Sequence, residues 1–249
     1  MSTLNFQPRV PVFDANIGVG HRHNRAAPFE NANELLDEMG RHGVDRAVIY
    51  HVQGEMISAI RGNEALLQWE NEAFCLQWVA GPGADSLRQL QEFHADGKVK
   101  SVRLHNTEES RCAFVDWLYG TLLEWLSGEG IPLWVSLADS PPVEIVETLR
   151  GFPDLRVVLV GAHYTHSAIV GPMLQMLPKT YLELSRFENV GGVESLVREM
   201  GAERLLYGSF YPRYAMGPML FYLHHLKIEP GDLAAICAGN LDGLLGEGP

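Results

Sequence analysis

Eight times along this chain of 249 residues, a short apolar run rich in β-branched side chains gives way to a segment of helical periodicity. Nothing else constrains the fold as strongly. Repeated strand-helix units call for a parallel sheet, and eight of them in about 250 residues is what a closed (β/α)8 barrel needs. The runs are Pro11 to Asn16, Ala47 to His51, Phe74 to Val79, Ser101 to His105, Pro132 to Leu137, Val157 to Gly161, Tyr181 to Ser185 and Leu205 to Ser209. Between them, Asn31 stands three residues before Glu34 in an N-cap arrangement, Leu35, Leu36 and Met39 supply one helical face, and Gly43 is placed to end that helix. Ser140 followed by Pro141 has the order of a cap and a first-turn proline. The expectation is an α/β chain, a single barrel domain over residues 1–249. Its first strand, near Val12 to Asn16, should be hydrogen-bonded to its last, near Leu205 to Ser209. The rival is an open doubly wound sheet, which would want a glycine-rich phosphate turn after strand one. Asn16-Ile17-Gly18-Val19-Gly20 matches that weakly.

The charge narrows the partners. With 19 basic and 31 acidic residues the formal charge is -12, which disfavours a nucleic-acid surface or a polybasic membrane patch. It does not exclude a local basic pocket for a small molecule. Cys75, Cys112 and Cys237 are odd in number, far apart and outside any CxxC pattern, so a reducing compartment and no disulfide framework are expected. The start shows no basic segment followed by an apolar run, and no stretch is apolar for long enough to span a bilayer. The reading is a soluble, cytoplasmic protein, with a homo-oligomer left open.

Two segments carry a family resemblance: Phe13-Asp14-Ala15-Asn16-Ile17-Gly18-Val19-Gly20 and Leu205-Leu206-Tyr207-Gly208-Ser209-Phe210-Tyr211-Pro212. Both resemble signature segments of the amidohydrolase-related (amidohydrolase 2) family of TIM barrels. There the first strand ends Asp-Ala-His-x-His-x-Gly and the last runs Gly-Ser-Asp-x-Pro. Leu36 to Ala47, Phe152 to Leu159, Gly201 to Gly208 and Gly239 to Leu245 resemble further segments of that family in the same order. The likeness implies a mononuclear metal in the barrel mouth, held by two histidines after strand one, by ligands from strands five and six, and by the strand-eight aspartate. In this chain Asn16, Gly18 and Phe210 replace ligand types, strand five ends in Val135-Ser136-Leu137, and His163 is displaced by two residues. Zinc needs three or four nitrogen, sulfur or oxygen ligands, so no metal and no cofactor are expected at the inherited position. The first strand resembles a divergent branch reading Asp-x-Asn-x-x-x-Gly.

Active sites of this fold gather at the C-terminal ends of the strands. His51, His105 and His163 end strands two, four and six, and each is a candidate general acid or base; the alternative is a core histidine turned against a helix. Arg103, two residues before His105, shares its strand face. It is either a clamp for an anionic substrate or half of a structural pair with Asp14, which alternation places on the Asn16 face. Asn16, Arg186 and Tyr211 complete the candidate binding set, and Glu183 lies on the opposite face of its strand from Arg186. His21 and His23 are loop residues or the start of a rebuilt metal site. The resemblance implies a hydrolase acting without metal, or a lyase, on a small carboxylated or lactone-like compound. A non-catalytic ligand-binding barrel and a metal-dependent hydrolase with a rebuilt site are the alternatives.

Overall fold

The computed structural model describes residues 6–22 and 24–246. Nine strands are assigned among them: β1 (Phe13–Val19), β2 (Arg46–His51), β3 (Phe74–Leu76), β4 (Trp78–Ala80), β5 (Val102–Leu104), β6 (Leu133–Ser136), β7 (Val157–Val160), β8 (Thr180–Glu183) and β9 (Leu205–Leu206). Every pairing is parallel, in the order β1-β2-β3 and β4-β5-β6-β7-β8-β9. β3 and β4 are one barrel strand interrupted at Gln77, whose N–H still donates to Ile49 O at 2.8 Å. The ring closes where Ala15 N–H donates to Tyr207 O at 3.0 Å and Gly18 N–H to Tyr211 O at 2.7 Å. The chain is therefore a (β/α)8 barrel, and its first and last strands are neighbours.

Helices follow the strands as the patterns require. In Ala32–His42 the Asn31 side chain accepts from Glu34 N, and Gly43 takes the left-handed conformation that ends the helix. Helix Pro142–Leu149 departs from expectation: its cap position is Pro141, and the Ser140 hydroxyl pairs instead with Thr107 Oγ1 at 2.7 Å. Between β2 and β3 the chain is helical over Val52–Met56 and again over Ala59–Leu66. No helix of the described residues is long and apolar enough to cross a membrane.

Two large clusters make up most of the core. The larger packs outward-facing strand residues such as Ile49, Leu104, Leu133 and Leu159 against the helices. The second fills the lower barrel interior, where Phe13, Val48, Trp134, Val158 and Leu206 meet Leu241 and Leu244 of the closing helix Asn240–Leu245. The Trp134 indole donates to Ala15 O at 3.1 Å, so one buried aromatic spans the barrel without an orphaned N–H. This packed floor fills the lower end of the barrel interior.

Candidate active site

Above that floor the interior turns polar. Arg103 on β5 is only 1% exposed, and its Nε and Nη2 both donate to Glu55 Oε1, at 2.9 and 2.8 Å. Its guanidinium stacks on Tyr50, 4.0 Å from the ring centroid. Nη1 reaches Asn16 Oδ1 at 3.3 Å, and Asn16 Nδ2 donates to Glu183 Oε2 at 3.1 Å. An amide suits this position because it accepts from a cation on one side and donates to a carboxylate on the other. Glu183 also accepts from Ser185 N and Oγ at 2.6 and 2.9 Å, while burial raises its pKa above the usual carboxylate range. Glu55 Oε2 in turn accepts from Arg22 Nη2 at 3.3 Å and from Tyr50 Oη at 3.4 Å.

Asp14 is not the partner of Arg103. The β1–β2 register shifts between Asp14 and Ile17, so strict alternation fails there: Ala15 belongs to the interior cluster, and Asn16 next to it also reaches interior groups. Asp14 Oδ1 accepts instead from Asn16 N at 2.9 Å and Ser209 N at 3.0 Å, tying β1 to the segment after β9. Oδ2 has no partner among the described residues, and complete burial pushes the carboxyl up to about 7.

Two of the cavities on the C-terminal rim flank helix Val52–Met56, one on each side. The first, about 320 Å³, is lined by Arg22, Arg25, Arg213, Tyr50, Phe210 and Tyr211, together with the backbone at Gly18 and Gly20. No Asp, Glu or His stands in its wall among the described residues. Burial raises the Tyr50 pKa, so its hydroxyl remains a donor. The second, about 600 Å³, is lined by Glu55, Asp85, His105, Asn106 and Glu109, among others.

The residues singled out from sequence are distributed as follows. Asn16 and Arg103 form the buried network behind the first cavity, and Tyr211 lines it while stacking on Phe29 at 5.6 Å. His51 follows Tyr50, which packs inward with Val79 and Phe210, so His51 turns the other way; its Nδ1 accepts from Gln53 N at 3.3 Å and burial lowers its pKa. Its ring lies against Gly20, where an added Cβ would fall 2.4 Å from Nε2, a space only glycine leaves free. His105 bonds Tyr119 Oη through Nε2 at 2.6 Å and lines the second cavity. His163 sits on the rim against Tyr164 and lines neither cavity. Arg186 hydrogen-bonds Tyr214 and lies 4.1 Å from its ring centroid, whereas Glu183 is fully buried. His21 pairs with Glu30 at 3.0 Å, and His23 lies outside the described residues.

Comparison with solved structures finds the same fold in other proteins. The chain is similar to 5-carboxyvanillate decarboxylase from Sphingomonas paucimobilis, at 13% identity and a TM-score of 0.72, with 95% of this chain and 99% of that one covered. An amidohydrolase 2 from Bifidobacterium longum subsp. infantis matches at 12% identity and a TM-score of 0.69, covering 96% and 100%. A putative 2-pyrone-4,6-dicarboxylic acid hydrolase from Pseudomonas putida matches at 17% and 0.65, covering 97% and 99%. The chain shares the (β/α)8-barrel fold of these structures. No family model and no curated protein matches the sequence.

At the metal position that the sequence resemblance implies, the residues present do not fit a metal centre. Asn16 is committed to Arg103 and Glu183, so a fixed organic cation lies beside the place a metal would take. A Cβ on Gly18 would come within 2.9 Å of Val52 Cγ1, which leaves no room for an imidazole. Phe210, held at φ 55° at a cost of about 1–3 kcal/mol, places its ring among Tyr50, Val52 and Val79. Among the described residues no three His, Cys, Asp or Glu side chains are grouped to hold a metal ion.

Sequence reasoning missed Glu55, Arg22, Arg25 and Arg213. Glu55 lies on a helix of five residues, too short to show periodicity. The arginines sit in loops, where polar residues are the default, although the basic run after strand one and the arginine after Tyr211-Pro212 were visible signals.

Proposed function

We propose that the first cavity takes a small carboxylated compound, and that the chain is a metal-independent hydrolase or lyase of the amidohydrolase-related class. The observation that carries this reading is the wall of Arg22, Arg25, Arg213 and the Tyr50 hydroxyl with no acid among them, in a chain whose formal charge is -12. Arginine presents a planar fork of donors that matches a carboxylate. The names of similar structures support the same ligand class, since 5-carboxyvanillate and 2-pyrone-4,6-dicarboxylic acid are carboxylic acids. Donors converging on one small volume also stabilise negative charge developing on an ester or lactone oxygen.

A second reading, binding without turnover, is favoured by one observation: none of His51, His105 and His163 lines this cavity. A general base must reach the proton it takes. Calorimetric titration with benzoate and succinate tests the ligand class. Saturable binding that weakens in Arg213→Ala, with an unchanged melting temperature, is the expected result. Failure of both acids to bind would sink the proposal. Hydrolysis of small activated carboxy-esters by the wild type but not by Arg22→Ala would favour the enzyme over the binding-only barrel.

A further inference from the structure

The second cavity has the opposite chemistry, and the reading of the first does not bear on it. It opens between helix Val52–Met56 and the ends of β4 and β5, and its wall holds Glu55, Asp85 and Glu109 but no lysine or arginine. Glu55 is paired with Arg103 and Arg22, and Asp85 with Arg88 at 2.8 Å, which leaves Glu109 as the wall's carboxylate without an ion pair among the described residues. An acidic wall alone would say little. The informative group is His105, which is 8% exposed and anchored through Nε2 to Tyr119 Oη at 2.6 Å. Its Nδ1 makes no hydrogen bond to the described residues, and the His105 side chain lines the cavity.

Burial lowers the pKa of this imidazole to about 4, and it is therefore neutral near pH 7, with one nitrogen a donor and the other an acceptor. When Nε2–H donates to Tyr119, Nδ1 presents a lone pair to the cavity. Met56, Ile57 and Ile60 add apolar surface to the wall. A ligand complementary to this set carries N–H donors, positive charge and a short alkyl chain.

We propose that the second cavity binds a small primary ammonium compound, with one N–H donated to His105 Nδ1 and its charge met by Glu109. Tyr119 is then a positioning residue that holds the His105 ring, its hydroxyl oxygen accepting from Nε2–H in the tautomer that binds the ligand.

The test is an NMR titration of histidine-labelled protein with n-butylammonium chloride, followed at the His105 ring, against sodium chloride at equal ionic strength. A saturable shift is expected. Calorimetry with the same salt reads the variants: His105→Gln, which removes the NMR probe itself, should weaken binding about tenfold, as the loss of one hydrogen bond to a charged group does, and Glu109→Gln should weaken it severalfold while leaving the melting temperature unchanged. Tetramethylammonium, a cation with no N–H, should bind more weakly than butylammonium. Should His105→Gln fail to fold, the Glu109→Gln and tetramethylammonium arms still decide. A shift no larger than that caused by salt, or equal binding of the two cations, would overturn the proposal. Benzoate binding to the first cavity is read separately and is unaffected by either outcome.

Discussion

Only helix Val52–Met56 separates the cavity walled by Arg22, Arg25 and Arg213 from the one walled by Glu55, Asp85 and Glu109. The strands beneath the two are alike: short, apolar and parallel. The difference lies in the segments after the strands. Arg22 and Arg25 follow β1, Arg213 follows β9, Glu55 follows β2, and His105 and Glu109 follow β5. A barrel can set the sign of its rim locally, one loop at a time, without altering the scaffold. The two regions are nonetheless coupled, because Glu55 belongs to the acidic wall while its carboxylate holds both Arg22 and Arg103.

The largest expected effect comes from removing the group behind both cavities. Arg103→Met leaves Glu55 buried with Arg22 as its only cation. Breaking a buried pair in this way costs about 3–5 kcal/mol. Urea unfolding should show a loss of that order, with the partition between the cavities disturbed. A variant of unchanged stability that has lost carboxylate binding would instead make Arg103 a ligand clamp and break the comparison.

Next is Asp14, which touches neither cavity. The folded value is about 7 and the ordinary value is 3.8. Between them the unfolded chain releases a proton that the folded chain keeps, so stability falls as pH rises through that window and levels off above it. Asp14→Asn keeps the acceptor for Asn16 N and Ser209 N but cannot ionise. At pH 8 it should be more stable than the wild type by the order of a few kcal/mol, a gap that closes near pH 4. Parallel pH profiles for the two proteins would show that Asp14 ionises freely. Equal ligand affinities in both would confine its role to the frame.

How far the molecule was legible follows from what each signal depends on. The strands could be read because a buried parallel strand needs a continuous apolar run, and Val157–Val160 has one. Barrel closure followed from counting units. Side-chain direction was less legible, because alternation presumes an unbroken register: the irregularity between Asp14 and Ile17 moved Asn16 relative to Asp14, and with it the expected partner of Arg103. His51 continues β2 on the side away from Tyr50, which an apolar pattern buried on both faces could not announce. The rim was the least legible. A loop arginine costs nothing to expose, so neither composition nor periodicity separates Arg213 from a solvated residue.

A smaller effect than Asp14 is expected at Arg213. It lines the first cavity and lies 5.1 Å from the Phe210 ring centroid. Arg213→Ala should reduce carboxylate affinity about tenfold, the loss of a hydrogen bond to a charged group, with ammonium binding in the second cavity unchanged. Calorimetry with benzoate and butylammonium on one sample reads both. Equal losses for the two ligands would mean that the cavities are not separate sites.

The smallest effect, and the sharpest for the comparison, belongs to Arg22, because its two consequences have opposite signs. Its side chain is 20% exposed and its Nη2 lies 3.3 Å from Glu55 Oε2. In Arg22→Gln the first cavity loses one of its three cations, so carboxylate binding weakens. Glu55 then keeps Arg103 as its cation, and the field it projects into the second cavity becomes more negative, so ammonium binding strengthens. Partly exposed pairs are worth roughly 0.2–1 kcal/mol, which converts to a change of about fivefold or less in each direction. Added salt should shrink both changes, because the screening length falls from about 10 Å at 0.1 M to about 3 Å at 1 M. Affinities that move in opposite directions and converge at high salt would establish electrostatic coupling through Glu55. If both fall together with the melting temperature, Arg22 acts by holding the helix Val52–Met56 in place, and the opposite signs of the two cavities are independent of each other.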